Sequence, residues 1–156
     1  DDPDLLEVLV RRSAAVKAAV VAADEHEAGE RAHLNLGHTF GHAVETLTGY
    51  GHVLHGEAVA IGMLVALELG VRLGRTDAAL LERTRALLRR IGLPTAAPAL
   101  DRDEVWQVMG RDKKATTEGV RFVTVGAPGQ VHVDVPDRSD VDAAIAAVEH
   151  SVPPVT

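Results

Sequence analysis

Cysteine is missing altogether from this 156-residue chain, which removes both a disulfide framework and every thiolate metal site. Aromatic residues make up only 3%, so a core must be built from small and aliphatic side chains, a composition that suits closely packed helices. Strong positive charge is lacking too. Lys and Arg number 16 against 23 Asp and Glu, a formal net charge of −7. The basic runs Arg11-Arg12, Arg89-Arg90 and Lys113-Lys114 are too short for an electrostatic footprint, so no nucleic-acid partner is expected. An acidic whole still permits an anionic substrate, because a site needs only a few local cations. Long hydrophobic runs are likewise absent: residues 58–73, the most apolar stretch, carry Glu68 and Arg72 and fall short of a membrane span. The start, Asp1-Asp2-Pro3-Asp4, has neither a Met nor the basic, apolar character of a leader. It reads as the opening of a piece of a longer protein, cytoplasmic and without a membrane partner.

What is present is 46% apolar residues in a length that suits one domain with a real core. Metal binding, if any, falls to the eight histidines and the carboxylates. Pro3 followed by Leu5, Leu6, Val8, Leu9 and then Ala14, Val16, Ala19 and Val20 predicts one or two helices. Residues 24–29 form a charged break, and a helix is expected from about Glu30 to Leu47. Gly37 and Gly41 weaken that helix by about 1 kcal/mol each against Ala, and glycines four apart suggest close approach of another backbone or a ligand. A loop at 48–54 leads into a helix over 56–74 that is apolar nearly all round, the pattern of a buried central helix. Residues 77–91 read as an amphipathic helix stopped by Gly92 and Pro94. Asp101 caps a short helix, residues 121–125 and 130–135 form a hairpin around Gly126-Ala127-Pro128-Gly129, and Ser139 caps a last helix. The expected class is mainly α, a multi-helix domain over 1–156 with one small β-hairpin. No Gly-rich loop follows a strand, so a dinucleotide site within the chain is not expected.

Chemistry concentrates between Glu27 and Glu57. At about 100° per residue, Glu27, Arg31, Asn35, His38 and His42 fall within about 80° of one helical wheel. An acid, a guanidinium, an amide and two imidazoles in one row, with apolar residues on other sides, suggest a helix lining a cleft. His38 and His42 stand at i, i+4, the spacing that lets two imidazoles meet one metal. His55 opens the apolar helix, where free amides and the dipole favour an anion. Histidines around a cleft in a cysteine-free chain fit a borderline divalent metal, zinc first.

Two segments, 31–45 (Arg-Ala-His-Leu-Asn-Leu-Gly-His-Thr-Phe-Gly-His-Ala-Val-Glu) and 54–63 (Leu-His-Gly-Glu-Ala-Val-Ala-Ile-Gly-Met), resemble the hallmark segments of the 3-dehydroquinate synthases. Lys17, Asp24 to Glu27, Gly92-Leu93-Pro94, and Asp112-Lys113-Lys114 ahead of Arg121-Phe122-Val123 follow in that family's order. The resemblance corresponds to the helical C-terminal domain of its two-domain fold, shared more distantly with iron-type alcohol dehydrogenases. It implies His38 and His55 as the zinc (or Co2+) ligands, overriding the pairing of His38 with His42, and His42 as the histidine facing substrate. Lys17, Glu27, Arg31 and Asn35 match substrate-site positions, and Lys113 or Lys114 reaches the substrate's anionic groups. His26, His33, His52, His132 and His150 match no functional position and read as surface or loop residues. In the family the third zinc ligand, a glutamate, and a further lysine lie upstream of Asp1, as does the NAD-binding domain. Within this chain Glu57 or Asp24 are the carboxylates considered for completing the set.

The implied activity is conversion of 3-deoxy-arabino-heptulosonate 7-phosphate to 3-dehydroquinate and phosphate, an early step of the shikimate route to aromatic amino acids, in a homodimeric parent. NAD transiently oxidises a hydroxyl, the ketone acidifies the neighbouring C–H, phosphate leaves, and the ring closes after reduction. The present chain alone is expected to be inactive. Two alternatives stand: a sister cyclase making 2-deoxy-scyllo-inosose or valiolone precursors, and a helical binding module without catalysis.

Overall fold

The computed structural model describes residues 2–25, 29–49, 51–111 and 119–149. They fall into two compact units, Asp1–Asn35 and Leu36–Thr156, each described by itself.

The first unit opens with a single helix, α1 (Pro3–Ala23). Asp2 starts it by accepting hydrogen bonds from the N–H groups of Asp4 and Leu5 at 3.1 and 3.2 Å, with Pro3 suited to the first turn because it lacks an N–H to satisfy. The apolar residues Leu5, Leu6, Val8 and Leu9 are exposed, and α1 buries none of its residues. The two described ends of the charged break meet at Asp24. Asp24 Oδ2 accepts from the N–H groups of Gly29 and Arg31 at 2.7 and 3.1 Å, satisfying donors at the entrance of a short 3₁₀ helix, Glu30–Asn35.

The continuous helix expected over 30–47 is not formed. After the 3₁₀ turn, Gly37 adopts φ +79°, and α2 (His38–Thr48) begins only then. Arg31 and Asn35 therefore do not share a helix with His38 and His42, and Glu27 is outside the described residues. Close approach explains the break. A Cβ on Gly37 would stand 2.6 Å from the Val59 carbonyl oxygen and 2.7 Å from the Met63 nitrogen, both on α3 (His55–Arg72). A Cβ on Gly41 would stand 3.1 Å from the Ala58 carbonyl oxygen, and one on Gly62 would drive into the Gly37 carbonyl. The two glycines four apart do admit a neighbouring backbone, as their spacing suggested, and Gly62 answers them from the other side.

Helix α3 is the centre of the second unit, with Ala58, Ile61, Leu64, Val65, Leu67 and Leu69 buried. Around it pack α2, α4 (Ala78–Arg90), α6 (Arg138–Glu149) and strand β1 (Phe122–Ala127). α4 is capped by Asp77, which accepts from Ala79 N–H at 2.9 Å, and the chain leaves it through Gly92 at φ +80°. Asp101 caps α5 (Arg102–Arg111) through Asp103 and Glu104 N–H. The final helix starts at Arg138, so Ser139 lies in its first turn instead of capping it. Its Val141, Ala144, Ile145 and Val148 are buried, and Glu149 pairs bidentately with Arg102 at 2.6 and 2.9 Å.

β1 pairs antiparallel with β2 (Gln130–Asp134), Phe122 opposite Asp134 and Val125 opposite Val131. An irregularity between Val125 and Ala127 carries Gly126 and Ala127 into the strand, so the turn is shorter than the four residues expected. Thr124, wholly buried, donates to Asp134 Oδ2 at 2.6 Å, and Arg75 holds the other oxygen at 2.9 Å. Thr76 donates to the Val125 carbonyl at 2.6 Å, fastening the hairpin to the end of α3. No helix is long and apolar enough to cross a membrane among the described residues.

The glycine contacts carry a prediction. Gly62→Ala gains up to about 1 kcal/mol of helix propensity, but its methyl meets backbone, which has no rotamer to yield, and overpacking costs about 1–3 kcal/mol or more. A net loss of about 2 kcal/mol is expected in urea unfolding. Gly56→Ala on the same helix, whose Cβ would touch nothing within 4 Å, should be neutral or slightly stabilising. Equal midpoints for the two variants would contradict the close packing of α2 on α3.

Candidate metal centre

Three imidazoles converge where α2 meets the start of α3. His38 is the first residue of α2, His42 lies one turn further on the same face, and His55 is the first residue of α3. The ring centroids are 5.5 Å apart for His38–His42, 5.4 Å for His38–His55 and 6.1 Å for His42–His55. The break at Gly37 and the close contact of Gly41 with Ala58 bring this about, because they let the start of α3 approach α2 to backbone distance. His38 is half-buried, whereas His42 and His55 are exposed, so the cluster is open to a ligand from one side.

Two of the rings have an acceptor at Nδ1. His38 Nδ1 stands 3.2 Å from the Leu36 carbonyl oxygen. A carbonyl can only accept, so Nδ1 carries the proton and the lone pair is on Nε2. His55 Nδ1 lies 2.9 Å from Glu45 Oε2, so it too carries a proton, and in the neutral ring the lone pair is on Nε2. Imidazoles that bind metals commonly donate their second nitrogen to a carbonyl or carboxylate in this manner. A cysteine-free set of imidazoles with an adjoining carboxylate matches the donor preferences of zinc and its neighbours, so these residues fit a divalent metal.

Glu45 is the residue that sequence reasoning passed over. It stands three positions after His42 and seven after His38, hence on the same face of α2, a spacing that could have singled it out. Donor atoms of His42, Glu45 and His55 all lie within 4.8 Å of one another. The two carboxylates considered from sequence are occupied otherwise. Glu57 accepts from Leu54 N–H at 2.8 Å, closing the first turn of α3, and Asp24 holds the turn before the 3₁₀ helix.

Lys17, Arg31 and Asn35 belong to the first unit. Lys17 is exposed on α1, Asn35 is half-buried, and the Arg31 guanidinium donates to the Glu25 carbonyl at 2.6 Å. Glu27, Lys113 and Lys114 lie outside the described residues, as do His26 and His150. His33 is half-buried in the 3₁₀ helix, and His52 and His132 are exposed.

The fold of the chain is similar to that of solved sugar-phosphate cyclases. A 2-deoxy-scyllo-inosose synthase, solved with carbaglucose-6-phosphate, NAD+ and Co2+, matches 93% of this chain and 42% of its own at a TM-score of 0.81 and 22% identity. The 2-epi-5-epi-valiolone synthase of Streptomyces hygroscopicus, solved with NAD+ and Zn2+, matches 90% of this chain and 39% of its own, with a TM-score of 0.78 and 22% identity. At that identity the likeness establishes the fold. The family model for the 3-dehydroquinate synthase C-terminal domain matches residues 1–115, and the chain belongs to the 3-dehydroquinate synthase family. Similar relatives include the 3-dehydroquinate synthases of Acinetobacter baylyi, 50% identical over 147 residues, and Saccharophagus degradans, 47% identical over 148. The match covers 94% of this chain but 40% of either relative; the chain spans about two fifths of their length.

Proposed function

We propose that residues 1–156 are the metal- and substrate-binding domain of a 3-dehydroquinate synthase of the shikimate route, active in the cytoplasm as a homodimer. The reaction is conversion of 3-deoxy-arabino-heptulosonate 7-phosphate to 3-dehydroquinate and phosphate, with NAD held mainly by the part of the protein outside this chain. The observation that carries this reading is the meeting of His38, His42 and His55, with the Nδ1 atoms of His38 and His55 both directed at acceptors.

His38 and His55 would hold the zinc through Nε2, and a glutamate from outside the chain would complete the set. Bound there, the ion supplies Lewis-acid polarisation of hydroxyl and carbonyl oxygens. The chain's own residues do the rest. Arg31 and Lys17, with Lys113 or Lys114, bind the carboxylate and phosphate of the substrate, the guanidinium in a bidentate manner through donors not used on Glu25. Glu27 and Asn35 orient its hydroxyls. His42 is the proton-handling group: a neutral imidazole can accept a proton at a ring nitrogen and return it.

A sister cyclase acting on a substrate without the carboxylate is the second reading, favoured by the two fold matches. Relatives at 46–52% identity named 3-dehydroquinate synthase weigh more than folds at 22%. The test is a competition between substrates. The whole protein containing this chain should release phosphate from the seven-carbon keto acid phosphate and not from glucose 6-phosphate. Release from the hexose phosphate alone would favour the sister cyclase.

A further inference from the structure

Glu45 is given no role by the family resemblance, yet it is in direct polar contact with His55. Its carboxylate is only 14% exposed although its partner His55 is 57% exposed, and Oε2 lies 2.9 Å from His55 Nδ1. The pairing joins the third turn of α2 to the first residue of α3, across the loop between them. An exposed imidazole at a helix start otherwise rotates and exchanges tautomers. With the carboxylate accepting from Nδ1, one ring orientation and one tautomer are selected, and Nε2 is left available in a ring whose centroid lies 5.4 Å from that of His38.

We propose that Glu45 is a positioning residue for the metal site, fixing His55 with its lone pair on Nε2. It acts through His55 and is not itself a ligand. The inference rests on reading His38 and His55 as the ligands. The proximity of His42, Glu45 and His55 donors also allows Glu45 to be a direct ligand, but its contact is at hydrogen-bond distance from Nδ1. The Leu36 carbonyl makes the corresponding contact to His38, and a carbonyl and a carboxylate in the same relation to two imidazoles point to one shared task.

The test uses the 156-residue chain with zinc alone, and compares wild type with Glu45→Ala, Glu45→Gln and His55→Ala. In metal-free protein at about pH 8, where free imidazoles are neutral, long-range ¹H–¹⁵N spectra should show His55 as the Nδ1–H tautomer in wild type and in Glu45→Gln. Glu45→Ala should shift it towards the Nε2–H form usual in water. Zinc affinity should fall by about 10- to 100-fold in Glu45→Ala, the usual effect of losing an outer partner of a metal ligand. In Glu45→Gln most of it should remain, because the amide oxygen still accepts from Nδ1–H while an amide is a poor zinc ligand. A wild-type His55 already in the Nε2–H form would overturn the proposal without recourse to any variant. So would affinity loss in Glu45→Gln as great as in Glu45→Ala, which would make Glu45 a ligand. Undiminished affinity in Glu45→Ala alongside loss in His55→Ala would refute Glu45 while leaving His55 in place. Undiminished affinity in His55→Ala would instead remove the reading beneath it.

Discussion

Supplied with zinc, NAD and the seven-carbon keto acid phosphate, the 156-residue chain is expected to release phosphate no faster than a protein-free control, with the Acinetobacter baylyi relative as positive control. The reason lies in the chemistry. Loss of phosphate requires an acidic C–H, and the C–H becomes acidic only after the adjacent hydroxyl is oxidised by NAD. An open parallel sheet with a Gly-rich turn is the usual way to hold that cofactor. Among the described residues the only sheet is the two-stranded hairpin β1–β2, and no Gly-rich loop follows a strand in the sequence. The two-histidine set is also short of the three protein ligands usual in catalytic zinc sites. Either deficit alone removes the reaction, so their combination should leave no measurable rate. Turnover by this chain would show that it contains a complete site, and the assignment of NAD binding to another part of the protein would fall.

Zinc should stabilise the wild-type chain, and replacing His55 by Ala should abolish that effect. A ligand that binds only the folded state adds RT ln(1 + [L]/Kd), about 2.7 kcal/mol when zinc stands a hundredfold above Kd. For a chain of this size that is a rise in Tm of about 5–10 °C. His55→Ala and His38→Ala should each reduce the rise to near zero, while metal-free Tm values stay close to wild type because His55 is exposed and His38 only half-buried. His42→Ala should retain most of it. This last arm separates two assignments: the i, i+4 pair His38 and His42, and the pair His38 and His55 brought together from two helices. Loss of the zinc effect in His42→Ala with retention in His55→Ala would restore the former.

Much of the fold was legible in local signals. The apolar stretch that became α3, the Gly92 and Pro94 stop after α4, the cap at Asp101 and the β1–β2 hairpin each follow from neighbouring residues. The break at Gly37 was not legible, because the polar row keeps its helical period straight through it. What sets φ +79° there is the backbone of Val59 and Met63, residues more than twenty positions away. The site divides in the same way. His38 and His42 were visible as a pair from spacing, but the convergence of His55, seventeen positions after His38, came from the family resemblance. Glu45 escaped both: its partner is ten residues on, across a loop whose path no periodicity encodes.

The most direct measurement of the central assignment is an anomalous difference map at the zinc edge from crystals of the zinc-loaded chain. A peak about 2.0–2.1 Å from Nε2 of both His38 and His55, with Glu45 Oε2 still on His55 Nδ1, is the expected result. A peak bound by His42, Glu45 and His55, with His38 turned away, would contradict it.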